Sequence, residues 1–212
     1  IYNVAVGYQA LDDNTTGNQN IAIGAHALGA NTTSDNNTAV GYSALWKNTA
    51  ANNVAVGYNV LGENTTGTNN TSLGVNALGA NTTADNNTAV GMNCLDANTT
   101  GADLVGVGQG SLSANTTGDG NVALGRQSLA AVTTGAQNTG AGNMAGYWIT
   151  TGENNLCLGR QSGHTASPSG KITTGDNNVC LGNNSIANLY CADTSISSSD
   201  ARDKTDVEDF TY

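Results

Sequence analysis

Asn3-Val4-Ala5-Val6-Gly7-Tyr8-Gln9-Ala10-Leu11 returns 17 residues later as Asn20-Ile21-Ala22-Ile23-Gly24-Ala25-His26-Ala27-Leu28, and then as Asn37-Thr38-Ala39-Val40-Gly41-Tyr42-Ser43-Ala44-Leu45. Self-similarity at a fixed period is the mark of a repeat architecture and has to be settled before any local structure is read. The glycine recurs at Gly57, Gly74, Gly91, Gly108, Gly125, Gly142, Gly159 and Gly182, at intervals of 17 residues except one of 16 and a last one of 23. Directly before it stands Val, Ile or Leu, with Ala141 the exception, and three before it Val, Ile, Leu or Thr. Four before it is Asn in ten of eleven repeats, Leu104 being the exception. Four after it is Leu from Leu11 to Leu129, then Gly146 and Gly163, then Ile186.

This register overrides what composition alone suggests. The 212 residues include 31 Asn, 28 Thr and 28 Gly, one Pro, and only 22 charged side chains. Such a chain resembles a disordered one, because polar tracts bury too little apolar area to offset ordering. A disordered tract has no reason to keep apolar residues in step over eleven periods. Val-Ala-Val-Gly alternates with period two, as a strand does. Tyr8-Gln9-Ala10-Leu11 reads as a second short strand, and Asn14-Thr15-Thr16-Gly17 as turn chemistry, since Asn and Gly accept left-handed backbone. A helix is excluded by the density of Asn, Gly and β-branched residues. The expected fold is all-β: a parallel β-solenoid of about eleven 17-residue coils over 1–192. With coils spaced about 4.8 Å apart, the rod is roughly 50 Å long. The Val/Leu columns are expected to stack inside, the Asn amides to hydrogen-bond from coil to coil, and the small column (Ala5, Ala22, Ala39, Ala55) to face outward. A small outward stripe suits close packing of rods side by side, hence a homo-oligomer.

Asn-Val-Ala-Val-Gly, at Asn3 to Gly7 and Asn53 to Gly57, resembles the head repeat of trimeric autotransporter adhesins. The resemblance covers residues 3–186 and implies a left-handed parallel β-roll, a homotrimer, and surface attachment. Similar rolls occur in bacteriophage tail fibres. After Ile186 the period stops, and 193–212 reads as a linker and the opening of another domain. There Ser199-Asp200-Ala201-Arg202-Asp203-Lys204, with Val207 behind it, resembles the start of the endosialidase-type intramolecular chaperone of phage fibres. That resemblance implies Ser199 as nucleophile and Lys204 as its partner, cutting before Ser199 once in the full-length protein. The same residues also read as a helix N-cap, with Asp203 in the first turn. Together the two likenesses imply a host-attachment rod of a virion tail fibre, engaging a cell-surface glycan or protein receptor. The alternative is the head of a bacterial surface adhesin, located on the cell surface.

Remaining features set the other expectations. Six basic residues at net charge −10 leave no electrostatic footprint for nucleic acid, and no window of about 20 apolar residues offers a membrane span. No cofactor motif or metal-ligand spacing occurs; Cys94, Cys157, Cys180 and Cys191 lack a C-x-x-C pair, and Cys157 and Cys180 read as small packing residues in the Ala column. The acids are scattered, without the paired carboxylates of a glycan-cleaving enzyme, so no enzyme is expected beyond self-cleavage. Paired threonines, from Thr15-Thr16 to Thr173-Thr174, raise an ice-binding alternative, though adjacent strand residues face opposite ways. Six extra residues enter between Gly159 and Thr173, around the only proline. His164, Pro168 and Lys171 of this loop are the candidate receptor contacts, because loops on rigid scaffolds often carry recognition. Trp46, Trp148, Tyr8, Tyr42 and Tyr58 offer further aromatic surface, for sugars or for packing between chains.

Overall fold

The computed structural model describes residues 1–165 and 167–187. Each coil contributes one three-residue strand: β1 (Val4–Val6), β2 (Ile21–Ile23), β3 (Thr38–Val40), β4 (Val54–Val56), β5 (Thr71–Leu73), β6 (Thr88–Val90), β7 (Val105–Val107), β8 (Val122–Leu124), β9 (Thr139–Ala141), β10 (Leu156–Leu158) and β11 (Val179–Leu181). They form one sheet in sequence order, each strand parallel to the next. The register survives both irregular repeats: Ala39 lies on Ala55 across the 16-residue step, and Cys157 on Cys180 across the 23-residue one. Length changes are absorbed in the turns, so the columns read from the sequence are columns in space. The fold is an all-β parallel solenoid.

The glycine column is required twice over. Gly7 to Gly142 sit at φ between 124° and 137°, a region that side chains rarely tolerate. A Cβ on Gly74 would also stand 2.6 Å from the carbonyl carbon and oxygen of Gly91 in the next coil. The segment after it is not a second strand. Gln9 (φ 52°) and Leu11 (φ 57°) are left-handed, as are His26 and Leu28, so the chain turns where alternation suggested extension. Left-handed backbone at a non-glycine residue costs about 1–3 kcal/mol. It persists here because the same bend drives Leu28, Leu45, Leu61 and their counterparts fully into the core, while coil-to-coil hydrogen bonds hold the turn. Leu28 N–H donates to Ala44 O at 3.0 Å and His26 N–H to Tyr8 O at 2.9 Å.

The strands are inside out relative to the expectation. Ala22, Ala39, Ala55, Ser72, Ala89 and Ala123 are buried, whereas Val6 (58%), Leu73 (49%) and Leu124 (43%) remain exposed. The reason is volume. The left-handed Leu column and the small column beside it (Ala27, Ala44, Cys94, Ser111, Ser128) already fill the lumen, leaving room for about a methyl group from the strand. At two strands the facing residue leaves no room even for a methyl group. Gly106 faces Cys94, whose Sγ would lie 2.5 Å from a Cβ there, and Gly140 faces Ser128, whose Oγ would lie 2.4 Å away. Cys157 and Cys180 belong to this inward column and are buried.

A second compensation explains the missing leucines. Gly146 and Gly163 occupy the left-handed position without strain (φ 61° and 67°), and Ile149 and Ile172 fill the vacated space. A Cβ on Gly146 would meet Leu129 Cδ2 at 2.6 Å and Ile149 Cδ1 at 3.2 Å. In coils one to seven Ile149's column holds Asn and in coil eight Val132 stands there beside Leu129, so Leu-with-Asn passes through Leu-with-Val to Gly-with-Ile.

The Asn columns form the expected amide ladders. In the first, Asn70 N–H donates to Asn53 Oδ1 (2.9 Å) and Asn87 N–H to Asn70 Oδ1 (3.0 Å), while Asn70 Nδ2 donates to Ala84 O (2.9 Å). In the second, Asn81 Nδ2 donates to Asn64 Oδ1 (2.8 Å) and Asn115 Nδ2 to Asn98 Oδ1 (2.9 Å). These side chains are fully buried, so each amide satisfies backbone groups that the turns would otherwise bury unpaired. The short repeat breaks the second ladder. Asn48 Nδ2 donates to its own turn at Ala50 O (2.6 Å), and Asn31 Oδ1 is left buried without a partner.

Candidate functional site

Reversing the strand faces places the large apolar residues on the outside. Val4, Val6, Ile21, Ile23, Val54, Leu73, Val107, Leu124, Leu158, Val179 and Leu181 make an exposed ladder along the sheet. The stripe runs the length of the sheet, with the outward residues of β3, β6 and β9 partly covered. An aromatic row borders its N-terminal half. Tyr8 meets His26 edge-on at 5.5 Å, His26 meets Tyr42 at 5.8 Å, and Tyr42 stacks on Tyr58 at 5.4 Å with planes 10° apart. Exposed Val75 and Met92 continue the Tyr column; from Gln109 and Arg126 onward it turns polar.

The inserted loop is closed at its base, where Ile172 N–H donates to Gly163 O at 3.1 Å. His164 is half-buried and Lys171 exposed, and neither stands clear of the coil. Both fold back on Trp148: Lys171 Nζ lies 4.2 Å from the indole centroid and the His164 ring 5.9 Å from it. Tyr147 closes the cluster at 4.9 Å from Trp148. Ser167 is buried and donates to Gly182 O at 3.3 Å, pinning the loop to the last coil, while Pro168 is exposed. Of the three candidate contacts, two therefore share one aromatic cluster and Pro168 stands apart. Ser199, Lys204 and Cys191 lie outside the described residues.

Acidic residues do recur in register, which the reading as scattered charges missed. Asp35, Asp85, Asp119 and Asp176 each stand six before a column glycine, and each carboxylate caps the coil before it. They accept the N–H groups of Asn18 (2.6 Å), Thr68 (2.6 Å), Ala102 (2.8 Å) and Glu153 (2.7 Å). Their role is structural. Asp96 differs: burial raises its carboxyl above the ordinary value, and its Oδ1 has no partner. The thiols are inert for the same physical reason. Burial pushes Cys94 up to about 11, and burial together with the adjacent Cys180 pushes Cys157 up to about 12. Cys94, Cys157 and Cys180 are free, and Cys94 Sγ packs 3.0 Å from Ser111 Oγ.

The threonine pairs divide their labour. The first hydroxyl of each pair donates to the next coil, as Thr65 does to Thr82 O (2.9 Å) and Thr99 to Thr116 O (3.0 Å). The second (Thr66, Thr83, Thr100, Thr117) is exposed, giving a single file of free hydroxyls rather than a two-file array. Among the described residues, no group of three or more His, Cys, Asp or Glu is placed to hold a metal ion, and no helix is long and apolar enough to cross a membrane.

No family model, curated protein or solved structure matches this chain.

Proposed function

We propose that this chain is the structural and host-attachment rod of a phage tail fibre, three copies packing side by side through the outer faces of their strands. The supporting observation is the exposed Val/Ile/Leu ladder, repeated on strand after strand in register. A lone rod keeps that stripe wet. Copies of the same rod bury it with matching period, because every chain repeats at the same coil spacing. Attachment follows from the shape: a stiff solenoid held by coil-to-coil hydrogen bonds presents side chains at fixed spacing along its length. The Ser199 to Val207 likeness supports the fibre setting, with a chaperone that assembles three chains and then cuts itself away.

The test uses the full-length protein. The rod should have a native mass three times that of its chain and should adsorb to host cells, and Ser199→Ala should abolish processing before Ser199. A monomeric mass would overturn the side-by-side assembly, and unchanged processing in Ser199→Ala would remove the nucleophile role.

A further inference from the structure

We propose that a notch on the flank of the first three coils is a binding site for an uncharged saccharide, with Trp46 as its platform. The notch has a volume of about 330 Å³ and is lined by Gln9, Asp12, Asp13, His26, Trp46 and Lys47 over a floor of Gly29 and Ala30. It arises from one gap in two neighbouring columns. Coil one carries Asp12-Asp13 and coil three Trp46-Lys47, while coil two has Gly29-Ala30 at the same positions. The walls rise from backbones two coil spacings apart, about 10 Å, and the Trp46 indole leans into that interval, so a sugar ring would lie on the indole beside the carboxylates.

Gly29 lets the indole settle into the gap. A Cβ there would lie 3.1 Å from Trp46 Cδ1 and 3.5 Å from Nε1. The indole is nonetheless well exposed, at 43% for the residue, and so offers apolar ring surface to the C–H face of a sugar. The polar groups around it are unspent. The acids of the capping column are used up in backbone hydrogen bonds, whereas Asp12 and Asp13 are exposed and, among the described residues, their carboxylates meet neither a cation nor a hydrogen-bond donor. Two adjacent carboxylates can accept hydroxyl protons from a vicinal diol, and the Gln9 amide can both donate and accept. Lys47 does not offset the acids: its Nζ is 2.6 Å from Glu63 Oε2 and 5.4 Å from the Trp46 centroid. The notch therefore keeps a net negative field, which favours hydroxyl-rich neutral sugars and repels sialylated or phosphorylated ones. Its lining comes from the columns two, five and six after the glycine, so it stands apart from the strand face through which chains pack.

This proposal rests on the attachment reading, since it names the ligand class of one site on that rod. It is tested on the full chain in a Trp148→Phe background, so that emission reports Trp46 alone. The probes are methyl glycosides of glucose, galactose, mannose and N-acetylglucosamine, with sialyllactose as the anionic comparator. At least one neutral glycoside should shift Trp46 emission saturably, and sialyllactose should not. Asp12→Asn/Asp13→Asn, which preserves shape, should weaken that binding about tenfold or more, as expected for lost charge-assisted hydrogen bonds. Gly29→Ser, in a column where Ser113 is native, should displace the indole and abolish the response without lowering the melting temperature. No response to any neutral glycoside, equal response to sialyllactose, or wild-type affinity in the double Asn variant would each overturn the site. Adsorption of the wild-type rod to host cells separates the two failures: adsorption without glycoside binding sinks the notch alone, whereas absence of adsorption sinks the attachment reading.

Discussion

Replacing Leu73 and Leu124 with Asp, on the outer faces of β5 and β8, should separate the chains while leaving each coil folded. Both side chains point away from the lumen and are 49% and 43% exposed in the single chain. Full burial of a leucine is worth about 1.5–3 kcal/mol, so covering the exposed half of one outward residue yields about 1 kcal/mol. Eleven strand side chains of this kind are exposed, giving about 10 kcal/mol per chain for association. That is within the roughly 4–15 kcal/mol that association itself costs, so the balance is sensitive to a few residues. Two aspartates per chain withdraw about 2 kcal/mol of it. They also set like charges of several chains against one another in a desolvated seam, at a further cost of several kcal/mol. Within the chain each leucine is half covered by its neighbours on adjacent strands, Val56 and Val90 for Leu73 and Val107 and Ala141 for Leu124, so each change should cost about 1 kcal/mol of coil stability. Sedimentation equilibrium should show wild-type protein at three times the 21.3 kDa of one chain and the double variant at that single mass. A wild-type rod that sediments as a monomer at micromolar concentration, or a double variant that keeps the wild-type mass, would refute the reasoning.

Three further outcomes test the interior. Gly146→Leu overpacks against Leu129 and Ile149, Ile149→Asn leaves a void, and each alone should cost about 2–4 kcal/mol; the double variant restores the Leu-with-Asn pairing of coils one to seven, and chemical denaturation should reveal a favourable coupling of about 1 kcal/mol or more. Strict additivity would dismiss the exchange of Leu-with-Asn for Gly-with-Ile. Asp96 has a carboxyl pKa raised by burial from its usual 3.8, so its contribution is lost as pH rises through the folded value. Asp96→Asn should thus raise Tm at pH 7, with the gain vanishing near pH 3.5, as melting at the two pH values will show. Cys157 titrates at about 12 when folded against 9.0 in the ordinary thiol, so stability it supports below pH 9 falls away between those values. Cys157→Ala, which restores the column's usual residue, should flatten that alkaline limb in a pH series of thermal melts.

Much of the architecture was legible because a solenoid converts one-dimensional period into three-dimensional columns. Gly7 to Gly182, the Asn ladders and the pairing of Cys157 with Cys180 all follow from alignment alone. The exposed Trp46 and the Tyr column were visible as aromatic surface. What surrounds them was not. Asp12, Asp13 and Trp46 line one notch only because three stacked coils place a glycine between them, a relation that no local motif encodes. His164 and Lys171 marked an insertion, but a chain segment outside the repeat carries no column to say where it lies. Its packing on Trp148 depends on how the last coils close.

The sequence by itself determined the coil, its period, its register, and that Val and Ala of each strand lie on opposite faces. It could not determine which face is the inside. Period-two alternation is symmetric under that exchange, and hydrophobicity favours the larger side chain inward. The tertiary structure decided otherwise, for a steric reason. Left-handed backbone at Leu11, Leu28, Leu45 and their successors turns eight leucines into the lumen, and the space that remains opposite them fits only Ala, Ser, Cys or Gly. The larger apolar residues are left outside, exposed along the face of the sheet.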